Sequence, residues 1–147
     1  MSASPPPRLI AEAWEAMFRA QVAIFRDLSA DFPEGDLSMV EYDVLFNLSR
    51  LPGHAARPRD LNQQLLLSQP SVSRLIERLA ERGLVTKEPD PNDRRGVIVA
   101  LTEAGLQAFR RLGAVHTQSI ARRFGDALDV GDLQTLIELC DRARLGR

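Results

Sequence analysis

Large apolar side chains recur at three- and four-residue steps early in the chain: Ile10, Trp14, Phe18, Val22, Phe25, Leu28 and Phe32. With about 3.6 residues per helical turn, this spacing gathers them on one face and predicts a long helix with a wide apolar stripe. Phe32-Pro33-Glu34-Gly35-Asp36 ends it. Ser38 and Glu41 then stand at capping-box spacing before a second helix, which turns Val40, Val44, Leu45, Leu48 and Leu51 inward. Pro52-Gly53 breaks that pattern. A short third helix is predicted from about Pro58 to Leu66, with Leu61 and Leu65 inward, and Leu67-Ser68 as the turn. A fourth runs from Gln69 to Arg82, capped by Ser68, with Pro70 tolerated in its first turn and Gly83 as its stop.

The periodicity then changes. Val97, Val99 and Leu101 alternate with Ile98 and Ala100, a β-rich stretch preceded by turn residues Asp90-Pro91-Asn92-Asp93. Val85-Thr86-Lys87-Glu88 supplies a partner strand, so a hairpin with Arg94 and Arg95 near its tip is predicted. Thr102-Glu103 starts a fifth helix to about Phe124. Gly125 and Asp126 interrupt, and Asp129 caps a sixth helix to about Arg144.

A short helix, a tight turn, a second helix and a hairpin make a winged helix-turn-helix. The expected fold is therefore mainly α with a small β-hairpin wing, flanked by long helices. We expect a single winged-helix domain over 1–147, a DNA-binding lobe at 38–101 with its wing at 84–101, and dimerisation helices at 1–32 and 103–147. A small domain cannot cover the first helix's stripe by itself, which points to a homodimer.

The stretch from Asp93 onward reads Asp93-x-Arg95, five residues, then Leu101-Thr102-x-x-Gly105. It resembles the signature of the MarR family of winged-helix transcription regulators, D-x-R, five residues, L-T-x-x-G, without departure. The resemblance extends from about Leu9 to the last helix. It implies that Arg95 enters the minor groove, that Asp93 orients it through a charge-assisted bond, and that Arg94 touches phosphate or shares the role.

The net charge of −1 sits awkwardly with a DNA partner until it is taken locally. Between Arg57 and Gly96 eight basic residues face six acids, a surplus of +2 against −3 for the rest. That segment contains the fourth helix, whose apolar stripe is Val72, Leu75, Ile76 and Leu79. Gln69, Ser71, Ser73, Arg74 and Arg78 fall away from the stripe. Gln and Arg read adenine and guanine by paired hydrogen bonds, and Ser reaches bases or phosphates. The bland alternative is a solvated face in which Glu77 and Glu81 balance the arginines. The wing following directly favours double-stranded DNA. Arg57, Arg59, Asn62 and Gln63 are further candidates for phosphate.

Regulators resembling this chain commonly bind small aromatic anions between the dimer helices and the DNA-binding lobe. By that resemblance Trp14, Phe18 and Tyr42 would line an effector pocket, and Asp43 would sit comparably to an acid that matters for ligand response. For Trp14 the competing assignment is dimer core; for Asp43 it is a hydrogen-bonded structural acid. His116 is expected at a surface or interface.

The single cysteine, Cys140, excludes an intramolecular disulfide and fits the cytoplasm. It is expected to be buried on the sixth helix beside Leu133, Leu136 and Ile137. Peroxide-sensing proteins resembling this family carry a reactive cysteine in the first helix, and none is present there. His54 and His116 show no metal-ligand spacing, no nucleophile elbow or phosphate loop occurs, and no apolar run approaches a membrane span. The expectation is a non-enzymatic, ligand-responsive repressor without cofactor or metal, binding an inverted-repeat operator as a homodimer. A winged helix used only for protein–protein contact is the alternative.

Overall fold

The computed structural model describes residues 4–65 and 69–146, without the side chains of Gln69 and Pro70. The elements run α1 (Pro7–Ala30), α2 (Met39–Ser49), a 3₁₀ turn (Pro52–His54), β1 (Ala55–Ala56), α3 (Pro58–Leu65), α4 (Gln69–Glu81), β2 (Val85–Asp90), β3 (Asp93–Leu101), α5 (Glu103–Gly125) and α6 (Val130–Leu145). The expected turn at Leu67-Ser68, with its Ser68 cap, lies outside the described residues. The chain divides into two compact units, one spanning Ser29–Val115 and the other built from the segments before and after it.

The Ser29–Val115 unit is the winged helix. The capping box of α2 forms: Glu41 N–H donates to Ser38 Oγ at 3.2 Å, and Ser38 N–H donates to Glu41 Oε2 at 2.9 Å. Satisfying these otherwise orphaned donors sets where α2 begins. α4 stops at Gly83, whose φ of +72° costs a glycine little. Leu84 N–H donates to Leu79 O and Gly83 N–H to Ala80 O, both at 2.9 Å. This is the paired closure of a Schellman end.

The hydrophobic core of this unit joins Val44, Leu45 and Leu48 of α2, Leu61 of α3, and Val72, Ile76 and Leu79 of α4 to Val85, Val99 and Leu112. The stripe read for α4 is the buried one. Leu112 and Ala108 belong to α5, so the first half of that helix completes this core. Tyr42 packs between Phe32 and Phe109, with ring centroids 5.5 and 5.6 Å away.

The sheet is antiparallel in the order β1-β3-β2. Val85 pairs with Leu101 and Pro89 with Val97, and the register shifts between Pro89 and Asp90. Pro89 removes a ladder donor without harm because β2 is an edge strand. β1, absent from the sequence reading, pairs Ala55 with Ala100. Two alanines carry no β signal of their own; β3 recruits them.

In the other unit, α1 and α6 are exposed along most of their length. Trp14 is 60% exposed, Phe18 53% and Ile137 62%, and α6 buries no residue. Asp129 and Asp132 form a capping box at its start. Arg123 of α5 pairs with Asp27 of α1. Cys140 is exposed, not buried as expected, because α6 buries none of its residues. No described helix is long and apolar enough to cross a membrane, and no group of metal-ligating side chains occurs among the described residues.

Candidate nucleic-acid interface

The wing is fastened at both ends. At its base, Thr102 Oγ1 donates to Gly83 O at 2.7 Å and accepts Gly105 N–H at 3.0 Å. Thr102 N–H donates to Leu84 O at 3.1 Å. One residue therefore caps α5 and ties the end of β3 to the end of α4. A Cβ built on Gly105 would stand 2.0 Å from Leu84 O, so only glycine allows this approach. The Leu-Thr-x-x-Gly part of the signature thus sets the seat of the wing.

Near the tip, Asp90 is buried, with 1% of its side chain exposed. It accepts Asn92 N–H at 2.9 Å, and Arg57 Nε lies 2.6 Å from its Oδ2. The Asn92 bond, followed by the Arg57 charge, holds its carboxyl below the ordinary carboxylate pKa despite burial. Arg57, a candidate for phosphate, also braces the start of α3 against the wing through its Nε. Sequence spacing could not pair residues 57 and 90, which the fold alone brings together.

Asp93 Oδ1 accepts the backbone N–H of Arg95 at 3.0 Å. The bond by which Asp93 meets Arg95 thus runs from the backbone N–H to the carboxylate. Asp93 shapes the backbone that presents Arg95, and Arg94 and Arg95 are both exposed. Gly96 fits where a Cβ would stand 3.0 Å from Asp90 Cβ and 3.1 Å from Asp93 Cβ.

On α4, Ser73, Arg74 and Arg78 are exposed and Ser71 is half-buried; the side chain of Gln69 lies outside those described. Ser71, Arg74 and Arg78 border a shallow hollow of about 320 Å³ with Ser38 and Val40 of α2. Arg78 Nε lies 3.3 Å from Glu41 Oε1, a contact that capping-box spacing alone does not reveal. Glu77 pairs with Lys87 of β2, not with an arginine of its own helix.

These contacts divide the basic residues counted above. Arg57, Arg78, Arg82 and Lys87 face acids of the same unit. Arg74, Arg94 and Arg95 form no ion pair among the described residues and stand in solvent. Arg59 is exposed with only Asp60 nearby at 3.9 Å, Asn62 is half-buried and Gln63 exposed. Unpaired arginines on a helix face and at a hairpin tip suit a polyanion, because no internal pairing must be broken to bind it.

The four expected effector residues fall in separate settings. Trp14 and Phe18 stack on α1 at 5.4 Å, on an open face of that helix that also carries Arg26 and the Glu15–Arg19 ion pair. Tyr42 is committed to the core of the winged-helix unit. Asp43 is half-buried, accepts from Asn47 Nδ2 at 3.2 Å, and has its pKa raised by burial. Burial lowers the pKa of His116, which is half-buried.

This arrangement defines a winged helix-turn-helix DNA-binding protein. Residues 36–96 match the profile described as MarR family. The regulator YkoM of Bacillus subtilis, an uncharacterized HTH-type transcriptional regulator, is 28% identical over 134 residues, which cover 86% of this chain and 83% of YkoM. AbsC, a MarR family transcriptional regulator from Streptomyces coelicolor, superposes with a TM-score of 0.79 at 29% identity, over 99% of this chain and 100% of AbsC. Sco3205, a regulator of the same family and organism solved in complex with DNA, gives 0.83 at 21% identity, over 99% of this chain and 91% of Sco3205. The chain thus resembles MarR family transcriptional regulators over most of its length.

Proposed function

We propose that the protein is a cytoplasmic homodimer that binds an inverted-repeat operator and represses transcription until a small aromatic or acidic effector releases it. The observation that carries the DNA reading is the set of unpaired, exposed cations Arg74, Arg94 and Arg95 on α4 and at the wing tip. In this reading α4 enters the major groove and presents Ser73 and Arg74 to base edges, while Arg95 reaches the adjacent minor groove. The exposed stripe of α1 and the apolar residues of α6 support a dimer, since a free chain would leave Leu9, Ile10, Met17 and Ile137 each at least half exposed. An aromatic acid would stack on Trp14 and place its carboxylate near Arg19 or Arg26. Tyr42, held in the core, is left out of this pocket.

Selection of binding sites from random duplexes, followed by titration of the selected duplex, tests the reading. A two-fold symmetric site with half-sites about one helical turn apart is expected. Salt-independent retention, or a selected pool without symmetry, would overturn it.

A further inference from the structure

Glu41 is 8% exposed and divides its carboxylate between two tasks. Oε2 closes the capping box on Ser38 N–H at 2.9 Å, and Oε1 faces Arg78 Nε at 3.3 Å. Capping the helix requires only one oxygen. A glutamine would serve that purpose as well, because its amide oxygen accepts the same N–H. The charge on Glu41 therefore does something the cap does not need.

What it touches is a side chain on the reading helix. Arg78 lies two helical turns after Ser71 and one after Arg74, and the three border the same hollow. Its side chain is 55% exposed, yet it is held from within by its Nε edge. The outer guanidinium N–H groups remain as donors, in the planar fork that recognises a base edge or phosphate bidentately. A free arginine loses several rotamers when it binds; one already tethered loses fewer. Behind Glu41 the charges continue. Arg82 Nη1 lies 3.9 Å from Glu41, Arg82 Nη2 lies 4.0 Å from Asp36, and Arg111 of α5 is bound to Asp36 at 2.5 Å. Glu41 is thus fixed by its cap and by flanking charges, and cannot simply swing after Arg78.

We infer that Glu41 is a positioning residue for DNA sequence discrimination: from inside α2 it fixes the guanidinium of Arg78 on α4 for a directed contact with the operator. The inference deepens the DNA-binding reading and rests on it. A tethered arginine contributes more to the correct sequence than to an arbitrary one, because only the correct sequence places an acceptor where the fork points. Removing the tether leaves the attraction to phosphate and loses the aim.

The test compares the affinity of the full-length protein for its selected duplex with that for a scrambled duplex of equal length and composition. Glu41→Gln keeps the cap and removes a negative charge, which favours both duplexes alike through general electrostatics and so cancels in their ratio. The ratio between them is expected to fall about tenfold, the discrimination of one good base contact. In an Arg78→Ala background the same change is expected to leave the ratio unmoved, which a merely structural role for Glu41 would not produce. Arg78→Lys, which keeps the charge but loses the fork, gives an independent route should Glu41→Gln fold poorly; its ratio is expected to fall by a similar factor. A selective native protein whose ratio stays within about twofold in Glu41→Gln, or falls equally with and without Arg78, overturns this inference alone. A native protein that selects no sequence overturns the DNA-binding reading with it.

Discussion

The carbonyl oxygen of Leu84 occupies the space that a side chain on Gly105 would need, 2.0 Å from the ideal Cβ position. Leu84 leads out of α4 toward the wing and Gly105 sits in the first turn of α5, so the contact locks the two ends of the hairpin module together.

Gly105→Ala should therefore destabilise the protein by about 1–3 kcal/mol through overpacking against a backbone that cannot retreat. Gly125→Ala is the control, since nothing lies within 4 Å of its Cβ position and its φ is not positive. It should be neutral or slightly stabilising, by at most about 1 kcal/mol. Thermal melts of the two variants check this, and equal melting temperatures would remove the steric argument.

Acid should loosen the winged helix through two aspartates. The Asn92 N–H and the Arg57 charge lower the pKa of Asp90 from its ordinary 3.8. The Arg111 hydrogen bond does the same for Asp36. A carboxyl with a lowered folded pKa binds protons more readily when unfolded. The stability it adds is complete above the ordinary value and is lost as pH falls through the lower folded value. Asp90→Asn should be less stable than the native protein at neutral pH and should lose less on acidification. Asp43 runs the other way. Burial raises its pKa, so its ionisation opposes folding as pH rises through the folded value, and Asp43→Asn should be no less stable at neutral pH. Melting temperatures from about pH 7 to pH 3 test both signs.

At the wing tip, Arg95→Ala should weaken operator binding while leaving the melting temperature unchanged, because the side chain is exposed and unpaired. Loss of one phosphate-region cation should reduce the slope of log affinity against log salt by about one. Arg94→Ala alongside shows which of the pair is inserted. Unchanged affinity and slope in both would remove the wing from the mechanism.

Arg74→Ala and Ser73→Ala address the face of α4. Each should alter which bases are preferred at particular positions, by about 1–3 kcal/mol for a good base contact. A loss that is uniform over all sequences would instead make these residues phosphate contacts.

For assembly, Phe18→Glu should produce a monomer by sedimentation and abolish high-affinity binding to the two-fold site, since a charge would be forced into the stripe of α1. The lone Trp14 then offers a direct readout of effector, because no other tryptophan contributes fluorescence. Titration with small aromatic acids should quench it and release operator together. Quenching without release would make this face of α1 a binding site without regulatory effect.

Local pattern was enough to determine the helices, the wing and the arginines at its tip. The α4 stripe and the Ser38–Glu41 and Asp129 caps depend on residues within one or two turns, where spacing is geometry. The Gly83 stop and the turn at Asp90 to Asp93 follow from backbone chemistry in the same way. What those residues do with their charges was decided by tertiary structure. Arg57 and Asp90 are far apart in the chain, as are Arg78 and Glu41, and no periodicity relates them. Their pairing depends on how α3 meets the wing and how α2 meets α4. Asp93 meets Arg95 through the backbone, because in a tight turn the donor beside its carboxylate is the Arg95 N–H. The apolar face of α6 suggests a buried Cys140, yet the residue is exposed, since a pattern shows what a face could bury and not what lies on it. Composition supplies a surplus of cations, but only packing determines which are held by acids of the protein and which stand unpaired.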